Sequence, residues 1–151
     1  MTCDCSKKRK VKVVIEEGVA LPKYETAGSA GMDIRANIAE PITLGSLERV
    51  LVSTGIKMAI PEGYEVQVRP RSGLALKHGI SMANAIGTID SDYRGEIGVI
   101  LINLSKESYT IQPQERIGQI VLNKVEQIEF EVVTSLESTE RGEGGFGHTG
   151  K

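Results

Sequence analysis

Cysteine is nearly missing from this chain: Cys3 and Cys5 are the only two in 151 residues, and a single residue separates them. At that spacing a mutual disulfide would be strained, and a metal would find two of the roughly four ligands it prefers. The segment before Val11 therefore reads as a reduced, disordered tail. Long apolar runs are lacking as well. No stretch reaches the about 18 consecutive apolar residues that a membrane-spanning helix needs. An excess of positive charge is also absent, since Lys plus Arg number 18 against 20 Asp plus Glu, a formal net charge of -2. Sequence-independent binding to nucleic acid requires a basic face, so no nucleic-acid partner is expected, and any phosphate-bearing partner should be small. The one dense basic run, Lys7 to Lys10, leads into Val11, Lys12 and Val13 rather than an unbroken apolar stretch, and a signal peptide is not expected. These absences point to a soluble, cytoplasmic protein with no membrane partner.

Helix signal is equally scarce. Segments rich in β-branched residues recur instead, at Val11 to Ile15, Ile34 to Ile38, Val50 to Ser53, Ile56 to Ile60, Tyr64 to Arg69, Ile80 to Ile86, Ile97 to Asn103, Ser108 to Ile111, Ile117 to Leu122 and Val125 to Val133. Glu40-Pro41, Pro61-Glu62-Gly63, Arg94-Gly95 and Gln112-Pro113 punctuate them at intervals that suit a sandwich or barrel and leave little room for βαβ crossovers. Tyr64, Val66 and Val68 alternate with Glu65, Gln67 and Arg69, as a strand with one wet face should. One turn of helix is expected at Ser72 to Lys77, with the hydroxyl residue as its N-cap. No repeat of fixed period is visible. The length fits one domain over residues 1–151: a tail at 1–10, a β-barrel at 11–133, and a glycine-rich, mobile arm at 134–151 that cannot bury a core by itself.

Four places carry more chemistry than a β-scaffold needs. Arg69-Pro70-Arg71-Ser72-Gly73 brings a fixed cation, a hydroxyl and an unhindered amide together at a strand end, which is how an anion site is built; the plainer alternative is a capped turn with a solvated arginine. Gly87-Thr88-Ile89-Asp90-Ser91-Asp92-Tyr93-Arg94-Gly95 places two carboxylates and a ring on a hairpin, where one carboxylate could serve as a general base; turn chemistry alone is the other explanation. In Arg116-Ile117-Gly118-Gln119-Ile120, Gln119 offers an amide, or is an ordinary surface residue. Finally, Arg141 to Gly150 surrounds Phe146 with five glycines, resembling a phosphate-cradling loop with a stacking ring; a plain linker would have no need of that ring. His148 reads as exposed rather than as a ligand.

These segments, with Ala30-Gly31-Met32-Asp33-Ile34 before them and Lys77-His78-Gly79 closing the second, resemble in order the five motifs of the trimeric dUTPase family. They extend over Ala30 to Gly150, and no position used by that family for chemistry departs from its pattern. The resemblance implies an all-β, jelly-roll-like barrel and a homotrimer whose active sites are shared among subunits. It further implies a dUTP diphosphatase: Mg2+-dependent hydrolysis of dUTP to dUMP and pyrophosphate, keeping uracil out of DNA and supplying dUMP for thymidylate synthesis. Asp90 would activate the water that attacks the α-phosphorus in line. Tyr93 would pack under the deoxyribose, while Asn84 and the backbone of Gly87, Thr88 and Ile89 would read uracil. Arg71, Ser72 and Gly73, assisted by Gln119, would take the triphosphate.

From the arm, Phe146 would stack on uracil, and Arg141, Gly147 and Thr149 would reach the terminal phosphates over a neighbour's site. Asp33 would support the phosphate site by ion pairing or through metal-bound water. Mg2+ would be held by phosphates and water, with no protein ligand. Two alternatives share the fold: a dCTP deaminase, expected to use a glutamate near the hairpin where Asp90 and Asp92 stand, and a non-catalytic jelly-roll trimer, which would require a broken motif.

Overall fold

Side chains that alternate between a dry and a wet face define most of this chain. In the computed structural model, which describes residues 8–147, β1 spans Lys12–Ile15, β2 Met32–Arg35, β3 Ile42–Leu44, β4 Arg49–Ala59, β5 Tyr64–Arg69, α1 Ser72–His78, β6 Ile80–Met82, β7 Gly87–Ile89, β8 Glu96–Asn103, β9 Tyr109–Ile111 and β10 Arg116–Lys124. Along β8 buried and half-buried residues alternate without a break. The strands form two four-stranded sheets, ordered β1-β4-β8-β6 and β2-β10-β5-β7, and a separate β3-β9 pair. Every pairing is antiparallel. Ile34, Val66, Val68 and Ile120 from one sheet join Val52, Ile56, Ile97, Val99 and Leu101 from the other in a single buried cluster. This is an all-β, jelly-roll-like architecture. The one helix among the described residues, α1, is seven residues long, and none is long and apolar enough to cross a membrane.

Several strands differ from expectation for identifiable reasons. β4 is one strand, not two. Its interruption at Thr54-Gly55 is a bulge, marked by the register shift between Ser53 and Lys57 against β8. Gly55 adopts φ +66° there, and a Cβ on it would lie 2.7 Å from both Asn37 Nδ2 and Val19 Cγ2, so glycine is required twice over. β2 begins two residues earlier than expected, at Met32, and ends at Arg35; Ala36 and Asn37 then donate to Glu115 and Ser53 outside the ladder.

The run Ile80 to Ile86 breaks after Met82 because Ala85 turns back onto it with φ 59°. The chain then returns as β7, a three-residue strand inside the segment expected as a hairpin. β3 has no counterpart among the expected strands. The expected strand Val125–Val133 is absent, β10 ending at Lys124. Ile128, Phe130 and Val132 alternate correctly but are 77%, 83% and 94% exposed, because alternation yields a strand only where a sheet edge is available to pair with.

Candidate functional site

The predicted site residues form two groups, one across β2, β10 and the end of β5, the other along edge strand β7 and the turn after it. The first is built on a row across three strands, where Asp33 of β2 lies opposite Gln119 of β10 and Gln119 lies opposite Arg69 of β5. The neighbouring row, Val68 and Ile120, faces the core, so the pleat turns Asp33, Gln119 and Arg69 outward. Directly after β5 the chain enters α1. Its N-cap is Arg71, extended at φ -94°, ψ 127°, with no side-chain cap; Ser72 is the first helical residue rather than the cap. The first-turn amides of Ser72 and Gly73 accordingly have no acceptor within the helix.

Asp33 holds two guanidinium groups, Arg71 through Nε at 3.2 Å and Arg116 through Nη1 at 3.2 Å. Arg71 also donates to the Arg116 carbonyl at 3.3 Å, and Gln119 Nε2 donates to the Pro70 carbonyl at 3.3 Å. One carboxylate thus fixes two forked cations beside free amides, an arrangement suited to a polyanion. Nearby, the Tyr109 phenol is pushed well above its ordinary pKa by burial and by its hydrogen bond to Glu115, against the pull of Arg71.

The second group surrounds a cavity of about 490 Å³ where edge strand β7 meets the outer face of β4 and β8; Thr88, Ile89, Asp90 and Tyr93 line it, with Ser53 and Glu96. Asp90 follows the last residue of β7 and is exposed. Its carbonyl accepts from the Tyr93 amide at 3.2 Å, closing the turn that points both side chains into one cavity. Tyr93 donates its hydroxyl to the Glu96 carbonyl at 2.9 Å. Gly87 is buried opposite Val68, and Asn84 Nδ2 lies 3.5 Å from the place a Gly87 Cβ would occupy. Asn84 and the β7 backbone are therefore adjacent.

Glu96 carries the other perturbed charge. Its carboxyl is held below the usual carboxylate range, first by the Ser53 hydroxyl and then by the Gly55 and Thr54 amides, with burial opposing. Neither Glu96 nor Arg116 was assigned a role from the sequence. Arg116 stands in the segment expected to contribute Gln119, but its partner Asp33 is 83 residues away, and no local pattern announces such a pair.

The two groups share β5 but not one point on it: Gly87 lies opposite Val68, beside the Arg69 row, whereas Ile89, the residue before Asp90, lies opposite Val66, three residue steps from that row, roughly 10 Å at about 3.3 Å per residue. The arm joins neither. Arg141 Nε donates to the Gly144 carbonyl at 2.8 Å, while Phe146, at φ 50°, is fully exposed. Gly147 adjoins it, and Thr149 lies outside the described residues. Among the described residues no cluster of His, Cys, Asp or Glu is arranged to hold a metal.

Comparison with known proteins identifies the family. The chain is 74% identical over 145 residues to the deoxyuridine 5'-triphosphate nucleotidohydrolase of Fusobacterium nucleatum, covering 96% of this chain and 99% of that protein. It is 57% identical over 141 residues to the protein of the same name from Finegoldia magna, covering 93% and 99%. A dUTPase of Staphylococcus bacteriophage 80alpha, solved with dUPNHPP, superposes with a TM-score of 0.84 at 28% identity, covering 95% of this chain and all of that one. The sequence model of the dUTPase family matches residues 17–150, which take in both groups and the arm, and the chain belongs to that family.

Proposed function

We propose that this chain is a dUTP diphosphatase, hydrolysing dUTP to dUMP and pyrophosphate. The observation that carries the reading is the shared cavity of Asp90, Tyr93 and β7: an exposed carboxylate, an aromatic ring and a strand edge in one recess. Asp90 orients a water and takes its proton as the water oxygen bonds to the α-phosphorus; the bridging bond to the β-phosphate breaks on the opposite side, and pyrophosphate leaves. The β7 backbone from Gly87 to Ile89, with Asn84, hydrogen-bonds the uracil edge, and Tyr93 packs against the deoxyribose. A cytosine edge would leave these groups unpaired, at about 1–3 kcal/mol for each.

Arg71, Ser72, Gly73 and Gln119 bind the triphosphate, and Asp33 positions Arg71 by the ion pair described. A metal would be carried in on phosphate oxygens and water, beside a cradle whose own cations are the Arg71 and Arg116 guanidinium groups held on Asp33. Mg2+ bound in that way supplies charge neutralisation along the phosphates.

The arm's Arg141 is bonded within the arm and its Phe146 ring is exposed, which supports a site completed between copies. We assign the working form as a homotrimer in which the arm, through Arg141, Phe146, Gly147 and Thr149, closes over a neighbour's site. Scarce, closely spaced cysteines suit a cytoplasmic setting. The deciding experiment is pyrophosphate release from a panel of nucleoside triphosphates with and without Mg2+. Release from dUTP far above the others, and dependent on Mg2+, is expected; ammonia from dCTP without pyrophosphate from dUTP would replace this reading with a deaminase.

A further inference from the structure

Tyr93 sits on an exposed turn and is itself 44% exposed, yet the hydroxyl end of its ring makes two contacts. The first is with Gly95. A Cβ at that position would lie 2.3 Å from Tyr93 Oη, 2.5 Å from Cζ and 3.0 Å from Cε2. The ring therefore lies directly against the glycine backbone, in space that any other residue would fill. The second is a hydrogen bond, the Tyr93 hydroxyl donating to the Glu96 carbonyl at 2.9 Å. Glu96 is in turn tied to the bulge of β4, its Oε1 accepting from the Ser53 hydroxyl, the Thr54 amide at 3.1 Å and the Gly55 amide at 2.7 Å. Thr54 and Gly55 are buried, so the chain of contacts runs from an exposed ring to the fixed part of the sheet.

We propose that Gly95 and Glu96 are positioning residues that fix the pose of the Tyr93 ring and thereby set discrimination between deoxyribose and ribose. The proposal rests on the reading that Tyr93 packs against the substrate's sugar. A ring excludes a 2'-hydroxyl only if it cannot yield, and an untethered side chain on a turn changes rotamer in picoseconds to nanoseconds. Gly95 removes the obstacle that would hold the ring off its seat. Glu96 anchors the carbonyl to which the hydroxyl is bound.

The test compares kcat/KM for dUTP and UTP in the full-length protein. The three atoms nearest a Cβ at Gly95 all belong to the end of the Tyr93 ring, and Gly95 is not in the left-handed region, so Gly95→Ala should fold and melt as the parent does. Its dUTP-to-UTP ratio is expected to fall by about tenfold or more, the discrimination that one steric group supplies. In a Tyr93→Ala background, where there is no ring to displace, the same change should alter the ratio by less than about twofold. Glu96→Ala should lower the ratio, and Glu96→Gln, which keeps an acceptor for the two amides, should recover most of it. A parent ratio that survives Gly95→Ala, or one that falls equally with and without the Tyr93 ring, overturns the proposal alone. A parent with no preference for dUTP over UTP overturns the reading of Tyr93 and the proposal with it.

Discussion

Asp90 stands at the mouth of its cavity with its carboxylate exposed, so replacing it with asparagine preserves shape and removes only basicity. Asp90→Asn should lower pyrophosphate release by about 10² to 10⁴ while a non-hydrolysable dUTP analogue still binds in calorimetry. Near-parental turnover in that variant would remove Asp90 from the role of base. Glu96 yields a different measurement, because its carboxyl is held below the ordinary range in the folded chain. A carboxylate whose folded pKa is depressed stabilises the fold fully above its unfolded value of about 4.3, and loses that contribution as pH falls through the folded value. Melting followed downward from neutral pH should therefore show a shallower acid limb in Glu96→Gln than in the parent. Parallel acid limbs would mean that the hydrogen bonds from Ser53, Thr54 and Gly55 do not favour the ionised form.

β4 connects these residues to the fold. Its bulge lets a strand of 11 residues bend past Glu96 without leaving the sheet. Gly55→Ala must place a methyl group in a left-handed backbone and against Asn37 and Val19, costing about 1–3 kcal/mol. Urea unfolding is the measurement, and an unchanged midpoint would show that the bulge relaxes freely. The row Asp33–Gln119–Arg69 illustrates the same dependence of site on ladder: three residues distant in sequence share a face because β2 and β5 both pair with β10. A one-residue slip in either pairing would turn one of them toward the core.

Across the complete chain the chemistry is divided. The Asp90 cavity lies where β7 meets β4 and β8, the Asp33–Arg71–Arg116 cradle lies across β2, β10 and the start of α1, and Phe146 is fully exposed. If active sites are shared among copies, two crippled chains should complement each other. Asp90→Asn and a chain truncated after Glu140 should each be inactive alone, and co-refolding them should restore a substantial part of the parental pyrophosphate release. Mixed assemblies no more active than their separate components would confine each arm to its own chain.

Local features of the chain were enough to reveal its β-rich class, β5 in full, α1 to within a residue of its end, and the segments that carry Asp90, Arg71 and Phe146. Strand alternation, glycine and proline punctuation and motif order are nearest-neighbour properties, and they are legible without a fold. The continuity of β4 was not, since Thr54-Gly55 reads as a break until Glu96, more than 40 residues on, supplies the acceptor for its amides. Nor was the failure of Val125 to Val133 to form a strand, because pairing depends on whether an edge is free. Arg116 and Glu96 carry no local signal for the same reason. Their significance lies in partners brought close only when hydrophobic burial packs the two sheets and the ladders set the register, and no spacing within a linear sequence encodes that contact.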